Sequence, residues 1–169
     1  GIRVDDQMRT SDPSIFAVGD AVEVCDFVTG NPSLIPLAGP ASRQGRVAAD
    51  VIAGRDARFR GTQGSAVVGV FDLTLAMTGA SEKSLLREGI SYAKSYNHAT
   101  HHAGYYPGAE DMTLKLLYAP EDGRLLGAQA VGKQGVDKRI DVLAMAIQQV
   151  ATVFDLEEAE LCYAPQYGS

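Results

Sequence analysis

The side chains of this chain that can do chemistry gather in a few short stretches. Asp20 follows Gly19 at the end of the apolar run Ile15-Phe16-Ala17-Val18. A run so short, with Pro13 just before it, reads as a strand buried on both faces, as in parallel sheets. Glycine at its end permits a sharp turn and close approach of a ligand. In open α/β sheets ligands bind beyond the carboxyl ends of the strands. Asp20 is then placed to accept hydrogen bonds from ligand hydroxyls; a plain turn-capping role stands beside that reading. His98, His101 and His102 form an H-x-x-H-H cluster, but no acid or cysteine at a useful spacing completes a zinc site. They read as a loop of solvated histidines, and no metal is expected. Cys25 and Cys162 share no C-x-x-C spacing and read as small apolar residues, without a disulfide. Tyr105, Tyr106, Tyr163 and Tyr167 lie in "HHAGYYPG" and "CYAPQYGS". Taken alone, such loop tyrosines pack their rings and keep a wet hydroxyl.

The elements that must position these groups change character along the chain. "GIRVDDQMRTSDP" reads as a strand end and a turn, and position 1 is not methionine. "LAGPASRQGRVAADVIAG" reads as a helix, with Pro40 in its first turn, Gly54 at its stop, and Val47, Val51 and Ile52 on one face. Its start offers free amides and a positive dipole end to an electron-rich ligand. Residues 55–65 read as a surface linker. Beyond them, 67–80 is strand-like, Ser81 caps a short helix ended by Gly89, and "ISYAKSYNHA" alternates like a strand. "MTLKLLYA" and "RLLGAQAVG" form two strands around the turn Pro120-Glu121-Asp122-Gly123. Ile140, Leu143, Ile147 and Val150 mark an amphipathic helix. A last helix is expected from Asp155, with Glu158 completing a capping box, followed by an extended tail. The pattern predicts an α/β remnant over 1–60 and an α+β unit of antiparallel strands and helices over 65–169.

Bulk properties narrow the function. The 169 residues suffice for one core, or for one domain and part of another. Composition is that of a globular protein, 46% apolar and 21% charged. A net charge of −6 with no basic cluster argues against nucleic acid as a partner. No apolar stretch approaches the roughly 20 residues of a membrane span and no signal peptide opens the chain. The expected compartment is the cytoplasm.

Three segments taken together, "TSDPSIFAVGDA", "IPLAGPASRQGRVAADVIAG" and "AVGKQGVDKRIDVLAMAI", resemble the C-terminal part of the FAD-dependent pyridine nucleotide–disulfide oxidoreductases. The likeness is strongest to the coenzyme A (CoA) disulfide reductases and the related NADH oxidases, peroxidases and sulfur reductases. It implies that Thr10 to Asp20, with Gly19, corresponds to the second FAD-binding motif, whose aspartate hydrogen-bonds the flavin's ribityl chain. Pro36, Leu37, Ala38 and Ser42 correspond to the helix start at the pyrimidine end of the isoalloxazine. Residues from about 65 onward correspond to a dimerisation domain and imply a homodimer. Tyr105 and Tyr163, with Tyr106 and Tyr167 as neighbours, are similar to tyrosines that reach the flavin and redox cysteine of the opposite subunit. There a phenol would donate a proton to a leaving thiolate. The implied whole enzyme moves a hydride from NAD(P)H to FAD and then to a cysteine. That cysteine reduces CoA disulfide, CoA persulfide or polysulfide. No G-x-G-x-x-G opens a βαβ unit and neither cysteine matches the redox position, so the chain is expected to be an inactive fragment. An NADH oxidase or peroxidase of the same fold, and a purely structural dimerisation module, are the alternatives.

Overall fold

The computed structural model describes residues 1–168. It divides into two compact units, one over Gly1–Gly64 and one from Ser65 onward.

The first unit holds a small sheet of β1 (Ile2–Arg3), β2 (Val22–Cys25) and β3 (Pro32–Ser33) in that order. β1 runs parallel to β2, with Ile2 opposite Val22, and β3 runs antiparallel, with Ser33 opposite Val24. Helix α1 spans Ala38–Ile52. Met8, Val22, Val24, Ala48 and Phe59 form the core. The buried stripe of α1 is Pro40, Gln44, Ala48 and Val51, steps of four, four and three. Ile52, expected on that face, turns outward and is exposed. The run Ile15–Val18 also departs from expectation, since it is not a buried strand. Thr10 N–H donates to the Ile15 carbonyl and Ser14 N–H to the Asp12 carboxylate, folding the segment into a tight return. Its one bridge among the described residues joins Arg9 and Phe16, while Ile15 and Val18 are exposed. Without ladder partners on both sides, an apolar run has nothing to bury it.

The second unit is α+β. Its sheet has five antiparallel strands in the order β4 (Ala66–Val70), β5 (Leu73–Gly79), β8 (Leu125–Gly132), β7 (Asp111–Tyr118) and β6 (Ala93–Thr100). Residues 67–80 form a hairpin rather than one strand. Val70 pairs with Leu73, and Phe71 takes φ 54 at the tip. Neither Gly nor Asn marks that turn, which hides it from sequence. Helix α2 (Glu82–Glu88) starts from a Ser81–Ser84 capping box and stops at Gly89 with φ 67. The β7–β8 connection closes through the Ala119 carbonyl, which accepts from Gly123 N–H at 2.9 Å.

Helix α3 (Val136–Gln148) lays Val136, Ile140, Leu143 and Ile147 toward the sheet. With Ala76, Met112, Ala128 and Ala130 the first three form the main core. Val150 lies beyond the helix at φ 57 and is exposed. Helix α4 (Val153–Glu157) begins earlier than expected. Thr152 is its cap, its hydroxyl accepting from Asp155 N–H while the Asp155 carboxylate accepts from Thr152 N–H.

Antiparallel pairing places Val68, Leu75 and Val131 in one row, and Met77, Gln129, Lys115 and Tyr96 in the next, on the face away from α3. This face is an open, mostly apolar concavity. On β5, Ala76 and Thr78 are buried beneath the helix side, while Leu73, Leu75 and Met77 on the other side are 37–40% exposed. No helix among the described residues is long and apolar enough to cross a membrane.

Candidate functional site

In the first unit, Gly19 turns at φ +83 and opens a 3-10 turn over Gly19–Ala21 that carries the exposed Asp20. The turn is anchored to α1: Gly19 N–H donates to the side-chain oxygen of Gln44 at 2.7 Å. Gln44 is 2% exposed, so this bond is shielded from water and holds the turn against the first half of the helix. At that helix start Leu37 is the cap, and no side chain caps it among the described residues. Its first amides are those of Ala38 and Gly39, since Pro40 has none. Ala38 and Ser42 are exposed, as is Pro36 before the helix. The structure thus brings Gly19–Asp20 and the start of α1 onto one scaffold. Thr10 is used differently: its hydroxyl donates to the Asp12 carbonyl and accepts from Asp12 N–H, closing its own turn. Gln44 was not legible as a functional residue. Its signal was its place on the Pro40–Ala48 spacing, where a polar side chain must find a buried partner.

The second unit brings Tyr105 and Tyr163 together across 58 residues of chain. The Tyr105 phenol beside it pushes the Tyr163 phenol above its ordinary range. Both rings are solvent-facing, at 79% and 62% exposure. A phenol carries its proton at neutral pH and can donate a hydrogen bond. The two segments carrying them are tied through Ala103 N–H, which donates to the Pro165 carbonyl at 3.1 Å. The expected extended tail is instead a turn, with Tyr167 N–H on the Ala164 carbonyl.

His101 and His102 overturn the expectation of solvated histidines: they are 7% and 8% exposed. His98 is exposed on β6, hydrogen-bonded to the Thr113 hydroxyl. No group of three or more His, Cys, Asp or Glu converges to hold a metal among the described residues. Both cysteines are exposed free thiols.

A second polar cluster joins α2 to the sheet. The Glu82 carboxylate accepts from Lys115, from the Tyr92 hydroxyl at 2.7 Å and from Lys94 at 2.9 Å. The bond from Lys115, followed by those from Tyr92 and Lys94, lowers Glu82 to about 2. The same contacts raise both lysines.

The five-stranded sheet backed by one long helix, with an apolar outer face, is the form of a subunit-joining domain. Residues 65–168 match the family model described as "Pyridine nucleotide-disulphide oxidoreductase, dimerisation domain", and the chain belongs to that family. Its relatives include the "Coenzyme A disulfide reductase" of Staphylococcus aureus (strain bovine RF122 / ET3-1), 39% identical over 99% of this chain and 38% of that protein. The "NADH oxidase" of Methanocaldococcus jannaschii is 40% identical over 97% of this chain and 36% of that protein. Among solved structures, the NAD-dependent persulfide reductase from A. fulgidus superposes with a TM-score of 0.96 at 42% identity, over 99% of this chain and 31% of that one. The chain thus spans little more than a third of the curated relatives it matches.

Proposed function

We propose that this chain supplies part of the flavin site and the dimer interface of a cytoplasmic, homodimeric, FAD-dependent NAD(P)H oxidoreductase. Its substrate is CoA disulfide, CoA persulfide or polysulfide, reduced through a redox cysteine that is neither Cys25 nor Cys162. The observation that carries this reading is the solvent-facing pair Tyr105 and Tyr163, on two segments tied by the Ala103–Pro165 hydrogen bond. In the net reaction one disulfide, one NAD(P)H and one proton give two thiols and NAD(P)+. The second thiol leaves as a thiolate and needs that proton. A phenol, protonated at neutral pH, supplies it at the sulfur.

The first unit fits a flavin. Nothing lies within 4 Å of the position a Cβ would take on Gly19, so the backbone there is open to close approach. Asp20 is free to accept from ribityl hydroxyls, and the amides and dipole of the α1 start suit negative charge at the pyrimidine end. When bound, FAD supplies the electron pair received from NAD(P)H. The residues that would hold it are Gly19, Asp20, Pro36, Leu37, Ala38 and Ser42, with Thr10 shaping the turn before them. The apolar outer face of the sheet is then the surface that a second copy covers.

The test is Tyr105→Phe combined with Tyr163→Phe in the whole protein. Reduction of CoA disulfide is expected to fall on the order of 10²-fold, the usual scale for a lost general acid, while flavin reduction by NAD(P)H is unchanged. Wild-type rates in the double variant would sink the reading. The likeness to an NADH oxidase favours one second reading, an enzyme using oxygen or peroxide. Under that reading the double variant keeps its rate and the wild type consumes oxygen in step with NAD(P)H.

A further inference from the structure

His101 and His102 lie directly beneath the loop that presents Tyr105. Glu110 N–H approaches His101 Nδ1 at 3.2 Å, and a backbone amide only donates, so this nitrogen accepts. The Glu110 carbonyl accepts from His101 N–H at 3.0 Å and lies 3.3 Å from the same Nδ1, the longer of the two contacts. At the other end, His102 Nε2 lies 3.3 Å from the Tyr106 carbonyl, which only accepts, so Nε2 carries the proton. Between them His101 Nε2–H donates to His102 Nδ1 at 2.8 Å. Taken together, these contacts put the shared ring proton of each histidine on Nε2. The rings meet edge-on, and His102 in turn meets the Tyr106 ring edge-on at 5.8 Å.

The tail docks on the same spot. The Arg139 guanidinium, from α3, donates to the His101 carbonyl and to the Gly135 carbonyl. Gly168, at φ +63, packs so closely that a Cβ there would lie 2.8 Å from Arg139 Nη2. The histidine pair therefore supports the 103–106 turn from below, while Arg139 and Gly168 bind the tail turn to the same backbone.

We propose that His101 and His102 are positioning residues that hold Tyr105 against Tyr163 through the Tyr106 backbone. This rests on the tyrosine-pair reading above. The test is nuclear magnetic resonance on this chain with ring-labelled tyrosine and histidine, following each phenol through its titration. The wild type is expected to show Tyr163 titrating above an ordinary phenol. Tyr92, raised by its bond to Glu82 at the far end of the sheet, is the internal control for the fold. In His102→Leu and His101→Leu, Tyr163 should return to the ordinary range while Tyr92 stays raised. A Tyr163 that stays raised beside a raised Tyr92 overturns the proposal. Should Tyr92 relax as well, the chain has lost its fold. His102→Gln, which keeps a donor toward the Tyr106 carbonyl, then decides: Tyr163 should relax less than in a folded His101→Gln, and equal behaviour overturns the proposal. Tyr105→Phe separates the two readings. If it leaves Tyr163 raised, the phenol pair itself is absent and the earlier reading fails with it, whatever the histidines do.

Discussion

At the scale of single residues, this chain uses short-range hydrogen bonds to fix protonation states. Glu82 is held at about 2, below its ordinary 4.5, by Lys115 first and then Tyr92 and Lys94. A depressed carboxylate contributes stability that is complete above the unfolded value near 4.5 and is lost as pH falls toward 2. Urea midpoints of the chain should therefore decline between those limits, and Glu82→Gln should flatten that decline while lowering the midpoint at neutral pH. An unchanged pH slope in the variant would show that other carboxylates dominate. The Tyr163 phenol shifts the other way, raised above its usual value by Tyr105.

At the scale of elements, the sheet and α3 depend on close approach and on filled volume. Gly127 on β8 faces the backbone of Ala80, where a Cβ would sit 2.9 Å from its nitrogen. Gly127→Ala must push β8 away from the end of β5, and a loss of about 1–3 kcal/mol is expected by chemical denaturation, as for other overpacked cores. Leu143 and Ile140 fill the space between α3 and the sheet. Leu143→Ala should cost about 2–5 kcal/mol, the transfer and cavity terms together. Met145, on the same helix but 58% exposed, should tolerate the same change within about 0.5 kcal/mol. Equal costs at the two positions would mean that α3 is not seated as described.

At the scale of the whole molecule, the face of the sheet away from α3 is apolar where a solvated antiparallel sheet would be polar. Val68, Leu75 and Met77 are 55%, 39% and 37% exposed in the single chain. If a second copy covers them, sedimentation of the chain should show a dimer, and Leu75→Asp should convert it to a monomer with unchanged circular dichroism. A wild-type monomer at high concentration would remove the dimer from the proposed function.

The sequence by itself determined the elements with a local cause. The Ser81 cap, the Gly89 stop, the Pro120–Gly123 turn and the period of Ile140, Leu143 and Ile147 each rest on chemistry within a few residues. They were read correctly from it. It also placed Gly19–Asp20, Tyr105 and Tyr163 as the residues to watch, through resemblance rather than spacing. Where the controlling partner is distant, sequence was mute. The hairpin tip Phe71-Asp72 has no glycine or asparagine to announce it, and only the pairing of β4 with β5 reveals it. Thr152 caps α4 in place of the predicted start because Val153 N–H must bond back to the Gly123 carbonyl. The histidines were read as solvated, since polarity in sequence predicts exposure, and Gln44 carried no local signal of its role. Only the tertiary structure decided that each is buried: Gln44 meets Gly19, and the histidines meet each other, Glu110 and Tyr106. A buried polar group is stable only beside a partner, and those partners come from separate turns of the chain.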